Sequence, residues 1–529
     1  MSNTPIDIAR RDFLQRGGLL AGALALPAWA HAAQGAAPVA TVRGGQLRGY
    51  ADNRVNVFKG IPYGADTSTR RFQPALRELS WQGVRDVTAY GASAPQPKQV
   101  DSSEDCLFVN VWTPGLRDGR KRPILFYIHG GAYNNGSGSD ALYDGGSLCR
   151  RGDVVVVTVN HRLNLFGYLH LAQLGDESFA DAGNLGQLDL IQALQWLREH
   201  AAEFGGDANN VTLFGQSGGG AKIATLMAMP AARGLFHRAW TMSGQQVTAA
   251  GPRAAMQRAR IFLDAAGVRD AAGLRALSVE QLLQAAKVRD PSRVEDSALY
   301  FGPVLDGRSL PMHPFWPQAP EQSARIPMVI GNTRDETRAF LGGDPANHTL
   351  GWDELPEKLE KQQYVDLPVA SVVAEYRRLY PQYTPSQVFF AATTAGRSWR
   401  GAVEELEARA RQGAPTWAYQ LDWSSPLQPE RGAYHTLDIP LVFDNLQQPG
   451  ANTGQGDDAR TMAATMSEAL LAFARHGDPN HRGLAQWKPY SLRKRETMLF
   501  DVQSRLADDP RGGERRFWQQ APFIQRGTF

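Results

Sequence analysis

The sequence predicts an α/β fold with a large, mostly parallel central sheet flanked by helices. Apolar, β-favouring runs at 123–129, 154–160 and 211–214 indicate strands that are covered on both faces. Between the second and third of these runs, apolar residues recur at helical spacing over 189–203. Strands that alternate with helices in this way are typical of a parallel sheet.

Shorter patterns extend this sheet in both directions along the chain. Residues 39–50 alternate apolar and polar residues around a Gly-Gly turn, which predicts a small antiparallel hairpin. Further strands are predicted at 106–112, 239–243, 327–331 and 417–423. Helices are predicted within 252–290, which resembles an insertion, within 352–414, and over 462–475. The proline-rich segment 310–320 should be loop, and the polar, glycine-rich segments 449–458 and 508–514 should lie on the surface.

The composition favours one large globular domain. Of the 529 residues, 43% are hydrophobic, which is enough for a sizeable core, and no repeat, charge block or long linker interrupts residues 35–529. We therefore expect a single domain over 35–529. A net charge of +3 gives no electrostatic argument for binding nucleic acid or an anionic membrane. The two cysteines, Cys106 and Cys149, form no Cys-x-x-Cys motif, so we expect free thiols and no zinc site.

The first 32 residues have the pattern of a twin-arginine signal peptide. Arg10 and Arg11 precede Asp12-Phe13-Leu14, an apolar stretch follows at 17–26, and Ala30-His31-Ala32 offers a small-x-small cleavage site. The apolar stretch is shorter than the ~20 residues that a membrane span requires. The sequence thus predicts cleavage after Ala32 and export to the periplasm or beyond.

The strongest functional signal surrounds Ser217. The strand predicted at 211–214 runs into Gly215-Gln216-Ser217-Gly218-Gly219, and a helix-compatible run follows from Ala221 to Met229. Strand, G-x-S-x-G turn and helix are together typical of a nucleophile elbow, in which a strained turn exposes the serine hydroxyl. Ser217 is therefore the candidate nucleophile.

A serine nucleophile needs a base, an acid that orients the base, and amides that stabilise an oxyanion. His435 lies in a loop after the strand predicted at 417–423, and Asp335 and Glu336 follow the strand predicted at 327–331. The order serine, acid, histidine is that of an α/β-hydrolase, although the residues alone do not choose between Asp335 and Glu336. The run from His129 to Ala132 is of the HGG type that supplies oxyanion amides.

The chain from about Val39 onward resembles the type B carboxylesterases, which include cholinesterases and para-nitrobenzyl esterases. The shared motifs are Ser103–Trp112, the HGGAY run His129–Tyr133, Asn160–Asn164, the elbow, Arg334-Asp335-Glu336 and the segment around His435. The resemblance implies an α/β-hydrolase fold with helical insertions that form an active-site gorge. It also implies a nucleophile Ser217, an acid Glu336, a base His435, and the oxyanion donors Gly131, Ala132 and Gly218.

The activity implied by the resemblance is hydrolysis of small carboxylic esters through an acyl-enzyme, without a metal or organic cofactor. Two alternatives remain at this stage. The same triad could cleave amides or carbamates, or the chain could be a non-catalytic, cholinesterase-like binding domain.

Several positions depart from the family pattern. Gln216 replaces the usual glutamate, which removes a negative charge beside the site, and Gly218 replaces the usual alanine. Residues 91–102 contain no aromatic side chain for a choline cation, so choline esters are poor candidates. Alignment suggests Ser297 and Leu299 as acyl-pocket positions. Four aromatic residues are candidates for lining the gorge: Tyr133, Trp240, Phe301 and Trp316. Packing in the core is equally expected for each of them.

Overall fold

The central sheet brings together strands from nearly the whole length of the chain. The computed structural model describes residues 37–291, 298–362, 367–523 and 525. Its strands are β1 (Val39–Val42), β2 (Gly45–Arg48), β3 (Tyr50–Asp52), β4 (Val55–Pro62), β5 (Val84–Asp86), β6 (Phe108–Thr113), β7 (Arg122–Ile128), β8 (Val155–Val159), β9 (Gly206–Gln216), β10 (Arg238–Met242), β11 (Met328–Thr333), β12 (Thr416–Leu421), β13 (Glu496–Phe500) and β14 (Arg505–Asp508). Within the described ranges, eleven of them form one sheet in the order β14-β13-β12-β11-β10-β9-β7-β8-β6-β4-β3.

The middle of this sheet is parallel and its edges are antiparallel. All neighbouring pairs from β8 through β7, β9, β10, β11 and β12 to β13 are parallel. The strands β6, β4 and β3 at one edge and β14 at the other pair in the antiparallel sense. The mostly parallel sheet expected from the sequence is therefore confirmed.

The apolar runs form central strands because both faces of the sheet are buried. In β7, Ile124, Phe126 and Ile128 belong to one hydrophobic core, and Leu125 and Tyr127 belong to the core on the opposite face. The neighbouring strand β9 divides in the same way between Leu213 and Phe214. Side chains of a strand alternate between its faces, so a strand between two cores has to be apolar throughout.

Helices cover both faces of the sheet. They are α1 (Gly146–Gly152), α2 (Asn164–Tyr168), α3 (Leu185–His200), α4 (Gly218–Leu226), α5 (Pro252–Ala266), α6 (Ala271–Ala276), α7 (Val279–Ala285), α8 (Arg338–Leu341), α9 (Leu355–Glu360), α10 (Val369–Leu379), α11 (Pro385–Thr394), α12 (Arg400–Gln412), α13 (Asp438–Phe443), α14 (Asp457–His476) and α15 (Gly512–Trp518). The expected helical segments are thus present as α5–α7, α9–α12 and α14.

One surface prediction is wrong. Residues 508–514 were expected to be a polar surface segment, but α15 begins at Gly512, and Arg511 and Glu514 form a buried ion pair of 2.6 Å. Glu514 also accepts hydrogen bonds from the hydroxyls of Tyr376 and Tyr380. Polar residues are buried here because they satisfy one another, which composition alone does not reveal.

Cys106 and Cys149 are both buried, and neither forms a disulfide. No helix in the described part of the chain is long and apolar enough to cross a membrane. The predicted signal peptide, residues 1–32, lies outside the described residues.

Candidate active site

Ser217 lies in a strained turn between β9 and α4. Its φ of 54° and ψ of −126° place a non-glycine residue in a sparsely populated region of backbone conformation. The Ser217 amide donates to the carbonyl of Met242 on β10, at 2.7 Å, which ties the turn to the neighbouring strand. A Cβ atom at Gly219 would overlap the carbonyl of Ile128, so only glycine allows α4 to approach β7 this closely. This is the geometry expected of a nucleophile elbow.

Glu336 and His435 are in direct contact. Oε2 of Glu336 lies 2.5 Å from Nδ1 of His435, and Oε1 accepts from the amide of Thr333 at 2.9 Å and from Nδ2 of Asn332 at 3.1 Å. Glu336 is fully buried. Burial alone would raise the pKa of the Glu336 carboxyl, but the positive potential and hydrogen bond of His435 and the other donors hold it below its usual value.

Asp335, the alternative acid, has different partners. Its Oδ2 accepts from the amide of Ala433 at 3.0 Å, and its carboxylate pairs with Arg334 and Arg338 at 3.5 Å. The carboxylate therefore supports the loop that carries His435 rather than the imidazole itself.

The remaining ring nitrogen of His435 contacts Gln216. Nε2 of His435 lies 3.1 Å from the side-chain amide nitrogen of Gln216, and the residue is 6% exposed. Among the described residues, the hydroxyl of Ser217 has no hydrogen-bond partner. Ser217 and His435 nevertheless line the same cavity. The structure thus joins Glu336, the candidate acid, to His435, the candidate base, and both His435 and the candidate nucleophile Ser217 line one cavity.

The predicted oxyanion loop lies against the elbow. Gly131 and Ala132 have φ values of 85° and 52°, so this turn is left-handed, and the amides of Asn134 and Asn135 each donate to the carbonyl of Gly131 at 3.1 Å. A Cβ atom at Gly218 would overlap the carbonyl of Ala132. Gly131, Ala132 and Gly218 all line the cavity with Ser217.

A buried lysine that the sequence analysis did not single out braces this loop. Nζ of Lys222, on α4, donates to the carbonyls of Ala132 at 2.8 Å and His129 at 3.2 Å. Burial lowers the pKa of Lys222 to about 7. Burial, with the nearby Lys222, also lowers the pKa of His129 to about 3, so that ring is neutral at physiological pH. His129 stacks on His161 and contacts the carbonyl of Gly130, so its ring is held against the loop.

The cavity has a volume of about 510 Å³ and is lined partly by aromatic residues that the sequence did not identify. Of the four candidates, Tyr133 lines it, Trp240 and Phe301 pack in hydrophobic cores, and Trp316 is 57% exposed elsewhere. The aromatic lining is completed by Tyr143, Tyr300, Phe340 and Phe523.

The predicted acyl-pocket positions are only partly described. Ser297 lies outside the described residues, and Leu299 is buried in a hydrophobic core rather than facing the cavity. Tyr300, the next residue, lines the cavity instead. The predicted position, Leu299, is therefore one residue away from the side chain that lines the cavity, Tyr300.

A π-helical turn, Ala395–Trp399, supplies one wall of the cavity. Its residue Ser398 accepts a hydrogen bond from Asn332, the same side chain that donates to Glu336. Nothing in the local sequence marks this turn, because an extra residue in one turn of helix leaves no fixed pattern of residue types.

The chain is similar to known carboxylesterases over most of its length. The profile of the carboxylesterase family matches residues 36–518. The para-nitrobenzyl esterase of Bacillus subtilis (strain 168) is 37% identical over 90% of this chain and 98% of its own length. The phenmedipham hydrolase of Pseudarthrobacter oxydans is 32% identical over 86% of this chain and 93% of its own length.

A solved carboxylesterase structure is also similar to this chain. The crystal structure of a carboxylesterase from Geobacillus stearothermophilus at pH 6.2 is 38% identical, covers 91% of this chain and all of its own, and superposes with a TM-score of 0.81. The family profile matches most of the chain, its relatives are similar over most of their own length, and the solved structure has the same fold. The chain therefore belongs to the carboxylesterase family and is a carboxylic-ester hydrolase.

Proposed function

We propose that Ser217, His435 and Glu336 form the catalytic triad of a serine carboxylesterase that acts on small carboxylic esters. The Ser217 oxygen attacks the ester carbonyl while Nε2 of His435 takes the hydroxyl proton. The same proton then passes to the leaving alcohol, and the C–O bond to that alcohol breaks. A water molecule then attacks the acyl carbon while His435 takes one of its protons. The bond between that carbon and the Ser217 oxygen breaks, the proton returns from His435 to that oxygen, and the carboxylic acid is released.

The contact of 2.5 Å between Glu336 and Nδ1 of His435 is the observation that carries this proposal. A buried carboxylate at Nδ1 holds the proton on that nitrogen, which leaves Nε2 as the free base on the cavity side. To receive the serine proton, Nε2 has to exchange its contact with Gln216 for one with the Ser217 hydroxyl.

The amides of Gly131, Ala132 and Gly218 are the proposed oxyanion donors. Their support is that the three residues line the cavity with Ser217 and that Gly218 packs directly on Ala132. Donors that are fixed before the reaction stabilise the developing negative charge without a cost of reorganisation.

Substitution of the nucleophile tests the proposal. Ser217→Ala should abolish hydrolysis of para-nitrophenyl butyrate and labelling by a fluorophosphonate probe, while the circular-dichroism spectrum and melting temperature stay close to those of the wild type. Activity within about tenfold of the wild type would refute the role of Ser217. A folded wild-type protein that neither reacts with the probe nor hydrolyses esters would instead favour a binding domain.

Export is a separate proposal. Residues 1–32 form a twin-arginine signal peptide, and residues 35–529 form one hydrolase domain that is delivered to the periplasm or secreted. The support is the order of arginine pair, apolar stretch and small-residue site. Mass spectrometry of the protein from the periplasmic fraction should find a chain that begins after Ala32; a retained Met1 would contradict the proposal.

A further inference from the structure

Lys222 is a buried cation whose partners are all backbone groups or rings. It lies in the second turn of α4, five residues after Ser217, and is fully buried. Within the part of the chain that the structure describes, no aspartate or glutamate pairs with its ammonium group. Burial of a cation without a carboxylate is costly, so its remaining contacts have to offset that cost.

Both hydrogen-bond acceptors of Lys222 belong to the predicted oxyanion loop. Nζ donates to the carbonyl of Ala132 at 2.8 Å and to the carbonyl of His129 at 3.2 Å. The proposed donors are the amides of Gly131 and Ala132, and they belong to the two peptide groups that lie between those carbonyls. Lys222 therefore holds the loop on both sides of the two donors.

The loop needs support of this kind. Ala132 has a φ of 52°, a left-handed conformation that is unfavourable for a residue with a Cβ atom. Such a conformation persists only where surrounding contacts impose it. Nζ of Lys222 also lies 5.6 Å from the centroid of the Tyr133 ring, so the residue that follows Ala132 packs against the same cation.

We propose that Lys222 is a positioning residue for the oxyanion donors, because its two hydrogen bonds fix the loop in the conformation that aims the amides of Gly131 and Ala132 at the developing oxyanion. This inference rests on the proposed esterase function and adds a residue on which that function depends. Lys222 is not among the described residues that line the cavity, and it takes no part in bond making. Its effect is to keep the donors in place before charge develops.

Lys222→Met tests this role, because methionine is similar in length and has no hydrogen-bond donor. The kcat for para-nitrophenyl butyrate should fall by roughly 10–100-fold, since loss of a whole oxyanion donor typically costs ~10²–10³ and the loop here is loosened rather than removed. KM should stay within about threefold, because the ester carbonyl carries no full negative charge before the reaction.

Butyl trifluoromethyl ketone gives a second measurement that depends on the oxyanion. The Ser217 oxygen adds to its carbonyl carbon, the serine proton moves to His435, and the former carbonyl oxygen becomes an oxyanion. The inhibition constant should rise in Lys222→Met by the factor by which kcat/KM falls, because adduct and transition state use the same donors.

Ile223→Val is the matched control. Ile223 is the next residue of α4 and packs in a hydrophobic core. Its truncation should lower the melting temperature, because it removes a buried methyl group, and should leave kcat within about threefold. Lys222→Met should show the opposite pattern at pH 7: a melting temperature close to that of the wild type, because removal of the unpaired charge offsets the lost hydrogen bonds, and a reduced kcat.

Lys222→Gln is a second variant that does not depend on the folding of Lys222→Met. Its amide is neutral and shorter than the lysine side chain, and it can still donate to one of the two carbonyls. The fall in kcat and the rise in the inhibition constant should therefore be smaller than for Lys222→Met, with the two changes again equal in size.

The outcomes distinguish this inference from the proposed function. If the wild type hydrolyses esters and both Lys222 variants keep its kcat and inhibition constant, the positioning role is refuted and the esterase remains. A fall in kcat and melting temperature with an unchanged inhibition constant would assign Lys222 a purely structural role and also refute the inference. If the folded wild type hydrolyses no ester and does not react with a fluorophosphonate, the proposed function itself fails.

Discussion

The side-chain amide of Gln216 lies 3.1 Å from Nε2 of His435, the nitrogen that faces the cavity. A neutral amide can hydrogen-bond to this nitrogen without stabilising a positive charge on the imidazole or on a substrate. A carboxylate at the same place would stabilise such a charge. Gln216, the residue before the proposed nucleophile, is therefore positioned to influence both the availability of the proposed base and the charge of the substrates that are accepted.

Gln216→Glu should shift the preference of the enzyme towards cationic esters. Two unit charges about 4 Å apart interact by ~1 kcal/mol in water and ~4 kcal/mol at an effective dielectric constant of about 20. We expect kcat/KM for butyrylthiocholine, relative to its neutral dimethylbutyl analogue, to rise by about tenfold. Gln447→Glu, which adds the same charge at an exposed position, is the control. Equal ratios in both variants would contradict the effect.

Neutral substitutions of the same shape can distinguish the roles of the neighbouring carboxylates Asp335 and Glu336. Glu336→Gln should reduce kcat by roughly 10³–10⁴, because the amide neither fixes the imidazole tautomer nor stabilises the imidazolium. Asp335→Asn should leave kcat within about threefold, because its partners are the amide of Ala433 and partly exposed arginines. Steady-state kinetics on para-nitrophenyl butyrate measure both, and the reverse order of effects would reassign the acid to Asp335.

Gly131→Ala should disable the oxyanion loop. The residue has a φ of 85°, and a Cβ atom there would overlap the carbonyl of Asn135, so the loop has to move. Loss of one oxyanion donor typically lowers kcat by ~10²–10³, and we expect a fall of that size. Gly251→Ala, where a Cβ atom meets open space, should behave like the wild type. Normal turnover by Gly131→Ala would exclude this loop from the oxyanion site.

Lys222 should make stability increase with pH. Its pKa is about 7 in the folded protein and 10.5 in the reference state, so between these values the unfolded chain binds more protons. The free energy of unfolding therefore rises with pH across that window, and the cost of burying the charge is fully present below pH 7.

Lys222→Met removes this titration. The stability of the wild type relative to the variant should increase by roughly 1–3 kcal/mol from pH 6 to pH 9 in urea denaturation, since each pKa unit corresponds to about 1.4 kcal/mol. The lost hydrogen bonds to the carbonyls of His129 and Ala132 add an offset that does not depend on pH. A difference that stays constant with pH would show that Lys222 is charged at both values.

The central strands and the elbow could be predicted because their constraints are local. Between two cores, β7, β8 and β9 have to be apolar, and the turn at Ser217 needs glycines on both sides, so both features are visible as runs of residue type. The family, the fold and the ester-hydrolase activity expected from these motifs are confirmed. The roles of the individual site residues remain predictions.

Features that depend on distant contacts were not visible in the sequence. Phe340 reaches the cavity because α8 follows Glu336 directly, and Arg397 does so because of a π-helical turn, neither of which has a distinctive pattern. Arg511 and Glu514 are hydrophilic residues buried as a pair, which hydropathy assigns to the surface. The contact of Gln216 with His435 joins residues 219 positions apart and depends on the tertiary fold.

The proposed acid, Glu336, follows β11 and the proposed base, His435, follows β12, which are adjacent parallel strands. Pairing of these two strands is consequently a precondition for proton transfer. A nascent chain that ends after α4 would contain the Ser217 hydroxyl and the predicted oxyanion loop. It would lack Glu336 and His435, so it would be inactive. During refolding, esterase activity should accordingly recover only when the carboxy-terminal half of the sheet has assembled. The delay between the recovery of secondary structure and the recovery of activity would measure how long that assembly takes.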